Sequence, residues 1–251
     1  MAEADAFPLR LRNAEEYARL IDDDVHVFGK GHRCRTDKRG RPTPKGRSLF
    51  EIRVDATGGF VPLWEQNRIL RYRFDARSLN RFEDPEALAA RIRQLFGEGL
   101  AAWGDSAPIR FAERAETCDF EFVVRNADDC DDTGCVLAST FFPDQGQHEF
   151  VIYPEMFNQT REEQVETMVH EIGHIFGLRH FFADVAEDAW PSELFGEDSR
   201  FSIMNYGANS YLTNADRADL KALYGAVWSG RLDNVNGTPI RQVRPYSSLR
   251  P

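Results

Sequence analysis

The eleven residues His170-Glu171-Ile172-Gly173-His174-Ile175-Phe176-Gly177-Leu178-Arg179-His180 constrain this chain more than any other stretch. Three imidazoles, a carboxylate and a glycine stand at the spacing H-E-x-x-H-x-x-G-x-x-H. On a helix, His170 and His174 lie roughly 40° apart around the axis, one turn above the other. Both rings can then reach one metal ion at about 2.0–2.1 Å. Glu171 flanks that point without being needed as a ligand, and it can take a proton. His180 would fall about 240° round a continuing helix, on its far side, so the helix has to stop. Gly177 supplies the stop, because the residue past a helix end often takes the left-handed conformation that only glycine adopts cheaply. The chain then turns and brings His180 back. Three of the chain's six histidines fall in this window, which argues against surface histidines on an ordinary amphipathic helix. Three neutral histidines leave a fourth position open for water, as in a catalytic zinc site rather than a closed structural one.

The helix that carries the motif is framed by its own signals. Thr160-Arg161-Glu162-Glu163 is a T-x-x-E capping box, which predicts a start at Arg161. Val165, Val169, Ile172 and Phe176 recur at helical spacing and mark a buried face. The histidines lie beside that face, so they are expected as exposed ligands on the wall of a cleft.

The flanking segments alternate between strand and helix. Arg68–Phe74 alternates apolar with basic residues and reads as a half-buried strand. Asp84-Pro85-Glu86 opens a helix with an N-cap, a proline at the first position and an acid in the first turn. Its stripe runs through Leu88, Ile92, Leu95, Leu100 and Trp103. Ile109–Glu113, Asp119–Arg125, Val136–Phe142 and Glu149–Tyr153 read as strands. Thr213-x-x-Asp216 is a variant capping box at the head of a last helix through Leu220, Leu223 and Tyr224.

The zinc motif is the signature of the metzincin metalloproteases, and Ser202-Ile203-Met204-Asn205-Tyr206 resembles the Met-turn of that clan. The resemblance covers about residues 61–228. The order of strand, long helix, strands, zinc helix, Met-turn and C-terminal helix is similar to a matrixin or astacin catalytic domain. It implies an α+β fold of zincin type: a mixed twisted sheet, a long helix, a zinc-binding active-site helix and a C-terminal helix after the Met-turn. It also implies a zinc-dependent endopeptidase acting on protein or peptide substrates. His170, His174 and His180 would be the metal ligands, and Glu171 the general base for the attacking water. Met204 would form the apolar floor under the histidines. Tyr206, two residues on, matches the astacin-like pattern of an extra zinc ligand or oxyanion donor, while the flanks look like matrixins. Glu149–Tyr153 is expected as a cleft-edge strand able to pair with substrate, and Phe181–Phe201 as the wall of a substrate pocket.

Residues 1–60 read as an N-terminal extension, 61–228 as the catalytic domain and 229–251 as a C-terminal tail. The extension contains a basic tract from Lys30 to Arg47 among prolines and glycines, with Cys34 inside it. Arg33-Cys34-Arg35-Thr36-Asp37 faintly resembles the matrixin cysteine switch, in which a pro-segment thiolate fills the open zinc position. It lacks the flanking prolines and the following glycine. An ordinary loop thiol is the alternative. Asp128, Asp129, Asp131 and Asp132 cluster in an expected loop that could hold calcium or simply be solvated. Cys130 and Cys135 are close enough in sequence to close a small loop.

A net charge of −10 argues against nucleic-acid binding. No apolar run approaches the ~20 residues that span a bilayer, and a monomer is expected. The N-terminus lacks the basic start and apolar stretch of a signal peptide, although the family resemblance favours secretion. Two further readings stand beside the endopeptidase. One is a zinc-stabilised binding module without turnover, which would not need Glu171. The other is a latent enzyme whose N-terminal segment fills the cleft.

Overall fold

Alternating side chains in short strands build the centre of the molecule. The structure is a computed structural model that describes residues 32–34, 52–56, 59–131, 134–180, 192–195, 203–204 and 211–249. Its strands, in chain order, are β1 (His32–Cys34), β2 (Ile52–Asp55), β3 (Val61–Trp64), β4 (Ile69–Phe74), β5 (Arg110–Glu113), β6 (Phe120–Val124), β7 (Cys130–Asp131), β8 (Gly134–Ser139), β9 (His148–Ile152), β10 (Ser192–Phe195), β11 (Asn234–Val235) and β12 (Thr238–Val243). The helices are α1 (Ala76–Leu79), α2 (Pro85–Trp103), α3 (Arg161–Ile175) and α4 (Asn214–Trp228).

Among the described residues, seven strands form the main sheet, in the order β1-β8-β9-β6-β4-β5 with β7 paired to β8. Parallel ladders join β5 to β4, β4 to β6 and β6 to β9, whereas β8 runs antiparallel to β9. In β4, Leu70 is buried and Tyr72 and Phe74 are half-buried, while Arg71 and Arg73 face out. The first apolar residue of that run departs from the expectation: Ile69 is 41% exposed. Phe120, Phe122 and Phe150 point to the same side and meet Phe96 of α2 with ring centroids 5.2–6.4 Å apart. Aromatic rings at these separations and tilts contribute attraction beyond their buried area. β7 and β8 form a hairpin in which Cys130 stands opposite Cys135, and a disulfide joins the two.

β9 is not the edge strand expected from its sequence. It is paired on both sides, with Val151 opposite Val123 of β6 and Ser139 of β8. Phe150, Val151 and Ile152 are all buried, as an interior strand requires. A strand's own residues report how it is buried but not which neighbour lies beyond it. Here β8 lies beyond, and β1 covers the outer side of β8 in parallel register, Cys34 opposite Ala138.

Described parts of both segments expected to flank the catalytic domain join this body, residues 52–56 before it and 234–249 after it. Val54 of β2 and Ala56 after it are buried in the core, and β2 pairs with β10. β12 lies parallel to β3, with Ile240 opposite Val61 and Val243 opposite Trp64. Asp119, buried at the start of β6, accepts from the Arg71 amide (2.6 Å) and from both the amide (2.6 Å) and hydroxyl (2.9 Å) of Ser247. One carboxylate thus ties the C-terminal segment to the main sheet. Among the described residues no helix is long and apolar enough to cross a membrane.

Candidate metal centre

Both ends of α3 are fixed by the devices its sequence announces. At the start, the Thr160 hydroxyl accepts from the Glu163 amide and the Glu163 carboxylate accepts from the Thr160 amide, a closed capping box. At the end, Gly177 takes φ +94°. The Leu178 amide then donates to the Gly173 carbonyl at 3.0 Å and the Gly177 amide to the His174 carbonyl at 2.8 Å. This is a Schellman closure, and a β-carbon at Gly177 would strain it. Leu178 pairs as a bridge with Val54 of β2, which sends the chain back toward the helix with His180 next but one.

Two side chains finish the job at that end: Trp64, which no sequence pattern marks, and Tyr224, which the sequence marks only within a helix stripe. The Trp64 indole donates to the Ile175 carbonyl at 2.7 Å, and the Tyr224 hydroxyl donates to the Phe176 carbonyl at 3.0 Å. These are carbonyls that a helix end leaves without intrahelical partners. Burial pushes the Tyr224 phenol well above its ordinary pKa, so it stays a neutral donor. Higher up, the Trp103 indole donates to the Val169 carbonyl at 3.0 Å. Gly99 of α2 allows the close approach: a β-carbon there would stand 2.9 Å from Ile172 Cδ1 and 3.1 Å from Met168 Cβ. The apolar stripe in the sequence marks these faces, but it does not show that buried indoles and phenols need acceptors.

The three imidazoles converge. Nε2 of His170 lies 3.0 Å from Nε2 of His180 and 3.1 Å from Nε2 of His174. The His170 Nδ1–H donates to the Ile203 carbonyl and the His174 Nδ1–H to the Leu178 carbonyl, each at 2.8 Å. A carbonyl only accepts, so each bond fixes the proton on Nδ1 and leaves the lone pair of a neutral ring on Nε2. Lone pairs aimed at one another from about 3 Å repel unless a cation sits among them. Zinc with nitrogens at about 2.0–2.1 Å in a tetrahedron needs them about 3.3 Å apart. The donor set therefore suits zinc in chemistry and spacing. Among the described residues this is the group able to hold a metal ion.

The histidines are not the exposed ligands expected from the helix pattern. His170 is 2% exposed, and His174 and His180 are fully buried, as is Glu171. The helix stripe shows only which side faces the core. It does not show that other segments close over the opposite side. Phe142, after β8, lies against the His174 ring with centroids 5.4 Å apart. Met204 is buried beneath the helix, its thioether against Gly173, and Ile203 beside it supplies the carbonyl for His170.

Of the other residues singled out from sequence, Cys34 lies on β1 and Tyr206 lies outside the described residues, as does Asp132. So does Phe181–Phe201 apart from β10. Asp128 spends its carboxylate on the Glu155 amide, accepting at 2.6 Å, and burial raises its pKa. Asp128, Asp129 and Asp131 form no three-carboxylate group that could hold a cation.

Fold and site together define a mononuclear three-histidine metal centre on an α+β scaffold. Residues 63–187 match the matrixin family, peptidase M10. The chain carries a matrixin-like catalytic domain of the metzincin type, a zinc metallopeptidase domain that acts on peptide substrates. Among solved structures, that of myroilysin is similar over 64% of this chain and 95% of its own, at 15% identity and a TM-score of 0.43. A likeness at that level adds nothing to the assignment. No curated protein matches the chain in sequence.

The contact between Met204 and α3 is open to test. A β-carbon on Gly173 would stand 2.6 Å from the Met204 sulfur and 3.4 Å from the Trp103 ring, so the thioether has to retreat from the helix. Gly173→Ala is expected to lower stability by about 1–3 kcal/mol in urea unfolding and to loosen zinc. Unchanged unfolding and zinc retention would mean that Met204 does not press on the helix.

Proposed function

We propose that this zinc metallopeptidase is an endopeptidase in which Glu171 is the general base. The observation that carries the reading is the position of Glu171: completely buried, one residue from His170, on the helix that also presents His174. A buried carboxylate is costly unless something nearby uses its charge. A binding module held together by zinc would not need one there.

Zinc, when held by His170, His174 and His180, supplies a Lewis acid for the scissile carbonyl and brings the pKa of water toward ~7. The chain's own residues do the rest. Glu171 takes the proton of the attacking water and passes it to the nitrogen of the leaving amine. The backbone bonds from His170 and His174 hold both rings in the tautomer that leaves Nε2 bare. The buried surroundings keep the dielectric low, so each of these charges acts more strongly than it would in water. Met204 forms the apolar floor, in the manner of a Met-turn. Tyr206, two residues beyond it in the sequence, is the residue we assign as hydroxyl donor to the oxyanion.

A second reading concerns regulation. Residues 32–34 of the chain itself lie on the outer side of β8, and β8 leads within three residues to Phe142, whose ring touches His174. An extended substrate adding to that edge would have to displace them. This supports a latent enzyme whose N-terminal segment covers the substrate edge, with the Cys34 thiolate as a candidate zinc ligand.

Three experiments separate these assignments. Glu171→Gln should keep zinc and fold while losing ~10²–10⁴-fold in kcat, and near-normal cleavage would remove Glu171 from the role. Tyr206→Phe should lower kcat by ~10–10³-fold with KM and zinc content little changed. An unaltered kcat would make it a packing residue.

For latency, the cut belongs between Cys34 and Ile52, because Val54 is part of the core. Removing residues 1–47 should raise kcat/KM on a peptide substrate. If Cys34→Ala raises it equally, the thiolate is the block. If only removal does, strand pairing is. Equal rates for all three proteins reject latency.

A further inference from the structure

Phe142 stands apart from the other rings around the centre, since it is half-buried and belongs to no strand or helix. It is nevertheless tightly placed. Phe141 before it is buried and stacks on His148, centroids 4.3 Å apart and planes 7° from parallel. Pro143 after it is buried, with its ring at the turn of Gly177: the position of a β-carbon there would be 3.5 Å from Pro143 Cγ. Held from both sides, Phe142 meets the His174 imidazole at a centroid distance of 5.4 Å with the planes 81° apart. Over the same phenyl ring lies the Arg179 guanidinium, 5.4 Å from its centroid. Arg179 is only 1% exposed, and it stands between Leu178, whose carbonyl accepts from His174, and the ligand His180.

The hydrogen bond from His174 Nδ1 to Leu178 fixes the proton, but it leaves the ring able to rock about that bond. A rocking imidazole moves Nε2, the atom that has to meet the metal. A rigid ring packed against it stops this. The guanidinium adds a second constraint: a cation over an aromatic face is attracted by the ring's quadrupole, more so away from water. It therefore holds the phenyl ring in place while itself gaining a favourable surface near a cationic centre.

We propose that Phe142, clamped by Arg179, is a positioning residue for His174 and sets the zinc affinity of the site. The proposal rests on the zinc-peptidase reading. It is tested by zinc affinity in competition with a fluorescent chelator, on the full chain, with apo-protein unfolding in urea measured alongside. Wild type should bind one zinc, and failure there would count against the metal site itself. Phe142→Leu and Phe142→Met keep apolar bulk and lose the ring. Whichever of them folds should bind zinc ~10–100-fold more weakly, the usual loss when a ligand's supporting partner is removed. Phe142→Tyr should bind like wild type. In an Arg179→Gln background the Phe142→Leu loss should shrink to less than half as many decades, because the clamp is already gone. Zinc affinity within twofold of wild type in the folded Leu or Met variant would overturn the proposal. An equal loss in both backgrounds would overturn the role of Arg179.

Discussion

Two backbone carbonyls decide the state of the centre. Ile203 and Leu178 each accept an Nδ1–H from a histidine of α3, and this turns two Nε2 lone pairs inward toward the His180 ring. Without a cation the two inward lone pairs repel, and a zinc ion there would be held by three imidazoles. Everything else in the structure can be read as what it takes to put those carbonyls and rings in register.

Leu178 reaches its position because α3 ends where it does. Gly177 turns the chain, the Trp64 indole and Tyr224 hydroxyl take carbonyls at the helix end, and the bridge to Val54 aims the returning segment. Trp64 is on β3, which β12 flanks from the far end of the chain. Tyr224 is on α4. The end of one helix is thus fixed by segments from both sides of it in the sequence. Packing of this kind holds a metal site to a geometry, since ligands on a loosely held element would lose it to rotation. Gly99 and Gly173 serve the same end by absence: the first admits α3 close to α2, the second admits the Met204 thioether against α3.

Much of this was legible in the residues because it is local. The capping box at Thr160, the proline start at Pro85, the glycine stop at Gly177 and the histidine spacing are each written within one or two turns of chain, and the structure has each where the pattern predicts. What was not legible depends on partners far away in sequence. The position of β9 inside the sheet follows from β8 and β1 lying beyond it, and alternation in 149–153 cannot show that. Burial of His174 draws on Phe142, from beyond β8, lying against its ring. The joining of residues 52–56 to the catalytic body follows from antiparallel pairing with β10 and the bridge to Leu178, and that of 234–249 from the parallel pairing of β12 with β3 and from Asp119 reaching Ser247, contacts with no local signal. Trp64, Trp103 and Tyr224 carried a general signal only: a large buried ring with a polar tip needs an acceptor, without saying which.

The central claim is that three converging histidines hold one zinc ion which Glu171 uses to cut peptide bonds. The most direct measurement is elemental analysis of the purified full chain and of the chain freed of residues 1–47, paired with mapping of cuts in a diverse peptide mixture before chelation, after chelation and after zinc is restored. The account predicts one zinc per chain and internal cuts that disappear with the chelator and return with the metal, clearest once the N-terminal segment is gone. Stoichiometric zinc without internal cleavage in either protein, or cleavage that survives complete removal of the metal, would contradict it.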